Sequence, residues 1–279
     1  MEMLYRGMDR PALDAAYNNT KAVANFPELF SQFQARSADL YRTAVHQHDV
    51  AYGPGERERF DWFRCGIENA PVFIFIHGGY WQNGRKEDFS FVASGPIGCG
   101  YDVVLVEYTL APDASLTQIV GEIARLLDYL SLSTHEFSIV GRHVCLSGHS
   151  AGGHLSAVHR YHPYVTQVMP ISALVDLEPI RLCWLNEKLQ LTQQEIEDYS
   201  PLRHIRNGPS MLVTVGGNEL PELVRHSSEY AAMCRATGET VDYVALPGCT
   251  HFSVLEDLAS STGIQMTLLQ ESMSRSIAR

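Results

Sequence analysis

The spacing of short apolar runs constrains this chain more than any other feature. Val72 to Ile76, Val103 to Val106, His143 to Ser147, Val165 to Ile171, Met211 to Val215 and Val241 to Leu246 are strand-length segments. Between and after them lie longer stretches with apolar residues at helical spacing, at about 86–98, 116–131, 151–161, 222–236 and 253–275. Unbroken apolar runs of this length suit strands buried on both faces, and their repeated alternation with helices predicts a mostly parallel central sheet flanked by helices, an α/β fold. Ligands of such sheets bind beyond the carboxyl ends of the strands, so the residues that end each run are the place to look for chemistry.

Upstream of the first run, residues 8–43 alternate polar and apolar positions at roughly helical spacing, punctuated by Pro11 and Pro27. Residues 1–43 therefore read as an N-terminal helical arm. Ala44 to Tyr52 and Arg59 to Cys65 flank the turn-forming Gly53-Pro54-Gly55 and predict a hairpin at one edge of the sheet. Residues 177–207 break the strand–helix rhythm and fit an inserted small helical lid. With no internal repeat or Gly/Ser linker in view, residues 1–279 are expected to form one domain.

Charge and cysteine content narrow the function. With 21 basic against 32 acidic residues the net charge is −11, which leaves no polycationic surface for nucleic acid. No apolar run approaches the roughly 20 residues that span a bilayer. The first residues lack the basic start and apolar core of a secretory leader, so a cytoplasmic location is expected. Cys65, Cys99, Cys145, Cys183, Cys234 and Cys249 show no C-x-x-C pairing and read as free thiols. The histidine pairs His159/His162 and His149/His154 lack zinc-ligand spacing, so neither a metal nor another cofactor is expected.

Gly148-His149-Ser150-Ala151-Gly152 follows one apolar run and opens a helical stretch, the strand-to-helix context of a G-x-S-x-G nucleophile elbow. Small neighbours let the chain turn sharply at Ser150, and the Ala151 amide would lie at a helix N-terminus, where a developing oxyanion is stabilised. His77-Gly78-Gly79-Tyr80-Trp81 follows another run, and its adjacent glycines let backbone amides approach a substrate oxygen. Gly79, Tyr80 and Ala151 are the expected oxyanion hole, with Tyr80 and Trp81 as pocket walls. A serine hydroxyl needs a base, and His251, between the last strand and last helix, fits the order Ser…acid…His. His149 is set aside because its side chain is expected to point away. The acid is Glu219, after the strand Met211 to Val215, with Asp176 as the competitor.

These motifs resemble those of the arylformamidases, or kynurenine formamidases, of the α/β-hydrolase fold. His77 to Trp81 is similar to that family's HGGxW signature. Further likeness lies in Gly148 to Leu155, Val175 to Leu177, Leu185 to Glu187, Ser200-Pro201, Gly248 to Phe252 and Leu13 to Asn18. The resemblance implies Ser150 as nucleophile, His251 as base and Glu219 as acid, although an aspartate is more usual there and Gly216-Gly217 is a departure. It also implies cleavage of an N-formyl amide of an aryl amine, or of an enamine left by N-heterocycle breakdown, to formate and amine.

A short-chain carboxylesterase of the hormone-sensitive-lipase type is the alternative, since its elbow and HGG loop are nearly the same. A binding protein on an inactive hydrolase scaffold is disfavoured by the intact Ser150 and His251. Trp184 in the lid is expected to help bind a flat substrate, while Arg181, Lys188, Arg203 and Arg206 could grip a carboxylate. The expected partner is a small-molecule N-formyl amide, with no nucleic acid and no membrane. Sequence leaves the oligomeric state open, a homodimer included.

Overall fold

The computed structural model describes residues 2–132 and 136–277; Met1, at the start of the expected arm, and residues 278–279, at the end of the expected domain, lie outside them. Eight strands form one sheet: β1 (His46–Ala51), β2 (Arg59–Phe63), β3 (Val72–Ile76), β4 (Asp102–Val106), β5 (Val144–His149), β6 (Gln167–Ile171), β7 (Ser210–Gly216) and β8 (Val241–Leu246). Their spatial order is β1-β2-β4-β3-β5-β6-β7-β8. β1 pairs antiparallel with β2, and β2 with β4; every other pairing is parallel. Every residue of β3, β4, β5 and β6 is buried, which is why these strands are largely apolar and lack a polar alternation.

The helices are α1 (Arg10–Ala16), α2 (Asn19–Ala22), α3 (Phe26–Thr43), α4 (Ser94–Gly98), α5 (Leu116–Leu130), α6 (Ala151–Val158), α7 (Glu178–Leu182), α8 (Asn186–Leu189), α9 (Gln193–Tyr199), α10 (Pro221–Ala236), α11 (Val254–Leu258) and α12 (Ile264–Ile277). Successive strand side chains point to opposite faces, and two separate cores result. Val72, Ile74 and Ile76 join Val104, Leu126, Leu155 and Tyr230 on the face covered by α5, α6 and α10. Phe73 and Phe75 join Phe33, Leu105, Leu255 and Met266 on the face covered by α3, α11 and α12. Leu13 and Tyr17 of the arm enter the first core, so the arm straddles both faces.

Two expected helices are broken. Residues 86–98 form two 3₁₀ turns, Lys86–Asp88 and Ser90–Ala93, before α4. Here the Lys86 ammonium is drawn inward to Asp49 and Asp61, and Pro96 removes a backbone donor. Residues 253–275 split into α11 and α12 because the Asp257 carboxylate captures the amides of Ile264 and Gln265 at 2.8 and 2.9 Å. The segment 177–207 lies between β6 and β7 as α7, α8, α9 and a final 3₁₀ turn, Pro201–Arg203. Among the described residues no helix is long and apolar enough to cross a membrane, and all six cysteines are free thiols.

Candidate active site

Sheet register gathers the site. Ile76 is level with Gly148 across β3 and β5, His149 with Ile171 across β5 and β6, and Gly216 with Leu246 across β7 and β8. The loops leaving β3, β5, β7 and β8 therefore emerge at one end of the sheet. Ser150 stands between β5 and α6 with φ 57° and ψ −115°, a backbone conformation costly for any residue but glycine. Its flanking glycines make the turn feasible. A Cβ on Gly148 would lie 2.3 Å from the Gly152 oxygen, and one on Gly152 only 2.0 Å from that of Ile76. The Ser150 amide is anchored on Ile171 O at 2.8 Å, which fixes the serine over the sheet end.

His251, in the loop after β8, has Nδ1 2.6 Å from Glu219 Oε2. The other carboxylate oxygen accepts from the Gly216 amide at 2.7 Å and from Ser172 Oγ at 2.5 Å. Three donors thus pin a carboxylate whose side chain is fully buried. The unusual Gly216-Gly217 pair has a physical reason. A Cβ on Gly216 would stand 2.5 Å from Cys249 O, so only glycine lets β7 run this close to the His251 loop. The Asn218 amide then ties to Cys249 O at 2.8 Å. Asp176 is engaged elsewhere: Oδ2 accepts from the Tyr5 phenol at 2.5 Å and Oδ1 from the Glu178 amide at 3.1 Å.

The loop after β3 carries three successive positive φ angles, Gly79 at 113°, Tyr80 at 58° and Trp81 at 59°. Gly79 has no alternative, since a Cβ there would meet Asn83 O at 2.0 Å. A Cβ on Gly78 would come within 2.9 Å of His149 O and 3.2 Å of Ser150 Cβ, so the loop lies directly against the elbow. His77 steadies it from below, stacked on Tyr108 at 4.5 Å with Nε2 3.1 Å from Glu107 Oε1. Burial raises the Glu107 carboxyl, but the His77 hydrogen bond and charge, with Arg57, outweigh this and hold it near 2.

A cavity of about 540 Å³ opens over Ser150. Ser150, His149, His251, Gly78, Gly79 and Tyr80 form its floor, and Phe26, Phe30, Phe89, Phe252 and Trp184 supply aromatic walls. Tyr80 and Trp184 meet edge to face at 5.6 Å. Two expectations need correction. Trp81 does not line the cavity: the left-handed turn buries its ring completely, edge-on to His154 at 5.0 Å. His149 does not point away: it lines the cavity with its ring 4.5 Å from that of His251.

The lining cation is Arg85, whereas Arg181 pairs with Glu178 at 2.7 Å, Arg203 with Glu197, and Arg206 covers the Tyr161 ring at 4.2 Å. Lys188 borders a different groove, beside Thr117 and Glu195. Phe26, Phe30 and Phe89 were invisible as pocket residues in the sequence, where they read only as apolar positions of helical segments.

Residues 65–169 match the BD-FAE family model. The chain is similar to kynurenine formamidase of Danio rerio, 29% identical with 82% of each chain covered. Likeness to kynurenine formamidase of Salmo salar is also 29%, over 86% of this chain and 85% of that one. A crystal structure from Silicibacter sp. tm1040, provisionally assigned as a thioesterase, superposes with a TM-score of 0.81 at 26% identity, covering 92% of this chain and 98% of that one. The chain has the α/β-hydrolase fold, and the arylformamidase-like family that its motifs resemble fits it.

Proposed function

We propose that the chain is a serine hydrolase that releases formate from an N-formyl aryl amine or enamine. One observation carries the reading: Ser150 and the carboxylate-bound His251 share the floor of a cavity walled by aromatic rings. Its likeness over most of its length to kynurenine formamidases supports the acyl group and the flat amine.

Glu219 accepts a hydrogen bond from the Nδ1–H of His251, which leaves Nε2 as the base. As Ser150 Oγ attacks the formyl carbon, its proton passes to Nε2, and Glu219 stabilises the imidazolium. The amides of Gly79, Tyr80 and Ala151 receive the negative oxygen. His251 then returns the proton to the leaving nitrogen, the C–N bond breaks and free amine departs. Water, deprotonated by His251, attacks the formyl ester, and formate leaves as Ser150 regains its proton. An aryl or enamine nitrogen eases the first collapse by delocalising charge.

The same atoms would cleave a short-chain ester, a second reading in keeping with the provisional thioesterase assignment of the similar Silicibacter structure. A substrate panel separates the two. An N-formyl aryl amine should exceed its N-acetyl analogue at least about 100-fold in kcat/KM, roughly 2.7 kcal/mol of discrimination. A butyrate ester as best substrate, with inert formamides, would establish the esterase reading instead. A phosphonate should label Ser150 stoichiometrically and fail to label Ser150→Ala.

A further inference from the structure

His149 lies where the glycine loop, the elbow and the His251 loop meet. Its Nε2 lies 2.7 Å from the His251 carbonyl, an acceptor, so Nε2 carries the proton and donates it. The neutral ring then has a lone pair at Nδ1. Among the described residues no hydrogen bond engages that lone pair, although His149 is 2% exposed and lines the cavity beside Ser150 and His251. Burial, reinforced by the neighbouring His251, keeps the imidazole well below its ordinary range and so neutral. A Cβ on Gly78 would lie 3.1 Å from Nδ1, which places this acceptor at the seam between the glycine loop and the elbow.

Amide and ester cleavage differ at the leaving atom. When a serine adds to an amide, nitrogen keeps its N–H and must turn its lone pair toward the acid that will protonate it. An acceptor that holds the N–H orients that lone pair; an ester oxygen has no hydrogen to offer and would face the acceptor lone pair to lone pair. We infer that His149 Nδ1 accepts the N–H of the scissile formamide, turns the nitrogen lone pair toward His251, and so selects secondary amides over esters and tertiary amides. This deepens the proposed formamidase reading and rests on it.

The test needs three substrates of one scaffold: formanilide, N-methylformanilide and phenyl formate. In the unaltered protein, formanilide should exceed N-methylformanilide by about tenfold or more in kcat/KM, the fold-change equivalent of roughly 1.4 kcal/mol. His149→Gln places a donor near the Nε2 position but removes the Nδ1 acceptor, and should lower the formanilide-to-formate ratio about tenfold. His149→Asn keeps a polar atom near the Nδ1 position and should retain more of that ratio. Losses common to both substrates cancel in each ratio. Equal rates on formanilide and N-methylformanilide in the unaltered protein overturn the inference without requiring any variant to fold. So does an unchanged ratio in His149→Gln. Inert formamides alongside rapid formate ester cleavage would instead overturn the formamidase reading itself.

Discussion

Two carboxylates compete in the sequence for the partner of His251, and their hydrogen bonds separate them. Glu219 is held by Ser172, by the Gly216 amide and by His251 itself, whereas Asp176 holds Tyr5 and the Glu178 amide. Glu219→Gln should reduce turnover by about two to four orders of magnitude with little change in unfolding midpoint. Asp176→Asn should cost less than about tenfold and act mainly through the arm; kcat and thermal melts on both variants check the ranking, and the reverse order would move the acid to Asp176. Ser150, His251 and Glu219 are legible because chain order and strand ends restrict where such groups can stand. Ser172 and the inward turn of His149 are not, since they depend on which loops the β6 and β8 ends bring together. Trp81 misleads for a related reason: next to a glycine loop an aromatic suggests a wall, and only three consecutive positive φ angles send the ring under the loop.

At the scale of elements, apolar runs announced the central strands because strands covered on both faces have no room for polar alternation. The breaks at 86–98 and 259–263 escape such a reading, being set by a buried lysine and by an aspartate that caps a later helix. How the arm docks was equally hidden, although it builds one wall of the cavity through Phe26 and Phe30. Its anchor is the Tyr80 phenol, which donates to Tyr17 O at 3.0 Å and accepts from the Asn19 amide at 2.9 Å. A second tie joins the arm to the 177–207 insertion, where the Trp184 amide donates to Asp14 Oδ1 at 2.7 Å. Tyr80→Phe strands two buried backbone groups, at a cost of about 1–3 kcal/mol. Because that cost falls on arm docking, KM should rise several-fold more than kcat falls, and limited proteolysis should cut faster near residues 17–25. Unchanged proteolysis with an unchanged KM would show that packing alone holds the arm.

Over the whole molecule, acid sensitivity follows from histidines sealed beneath the helices on one face of the sheet. His154 on α6 has Nε2 2.8 Å from Tyr199 O, and His226 on α10 has Nε2 3.0 Å from the Tyr17 hydroxyl, which itself donates to Glu222. Both rings are fully buried, and each Nδ1 is sealed without a hydrogen-bond partner among the described residues. Protonation would place a charged N–H there with nothing to receive it, and burial pushes both histidines down to about 4 from the ordinary 6.5. A folded-state value below the unfolded one means that the unfolded chain binds more protons between pH 6.5 and 4. Stability contributed by the neutral rings is therefore complete above 6.5 and lost as pH falls toward 4. These two protons alone contribute a slope of at most about 2.7 kcal/mol per pH unit, steepest near pH 5, and His149 and His159, whose pKa values burial also lowers, add to it in the same direction. Glu107, held near 2 against an ordinary 4.5, adds a further loss only below that window, as its carboxylate becomes protonated. Urea unfolding at pH 7, 6 and 5 should show a falling midpoint at constant m-value. His226→Gln, which keeps a donor toward Tyr17 but cannot take up a proton, should remove about one proton from the slope. An identical slope in that variant would assign the acid sensitivity to other groups.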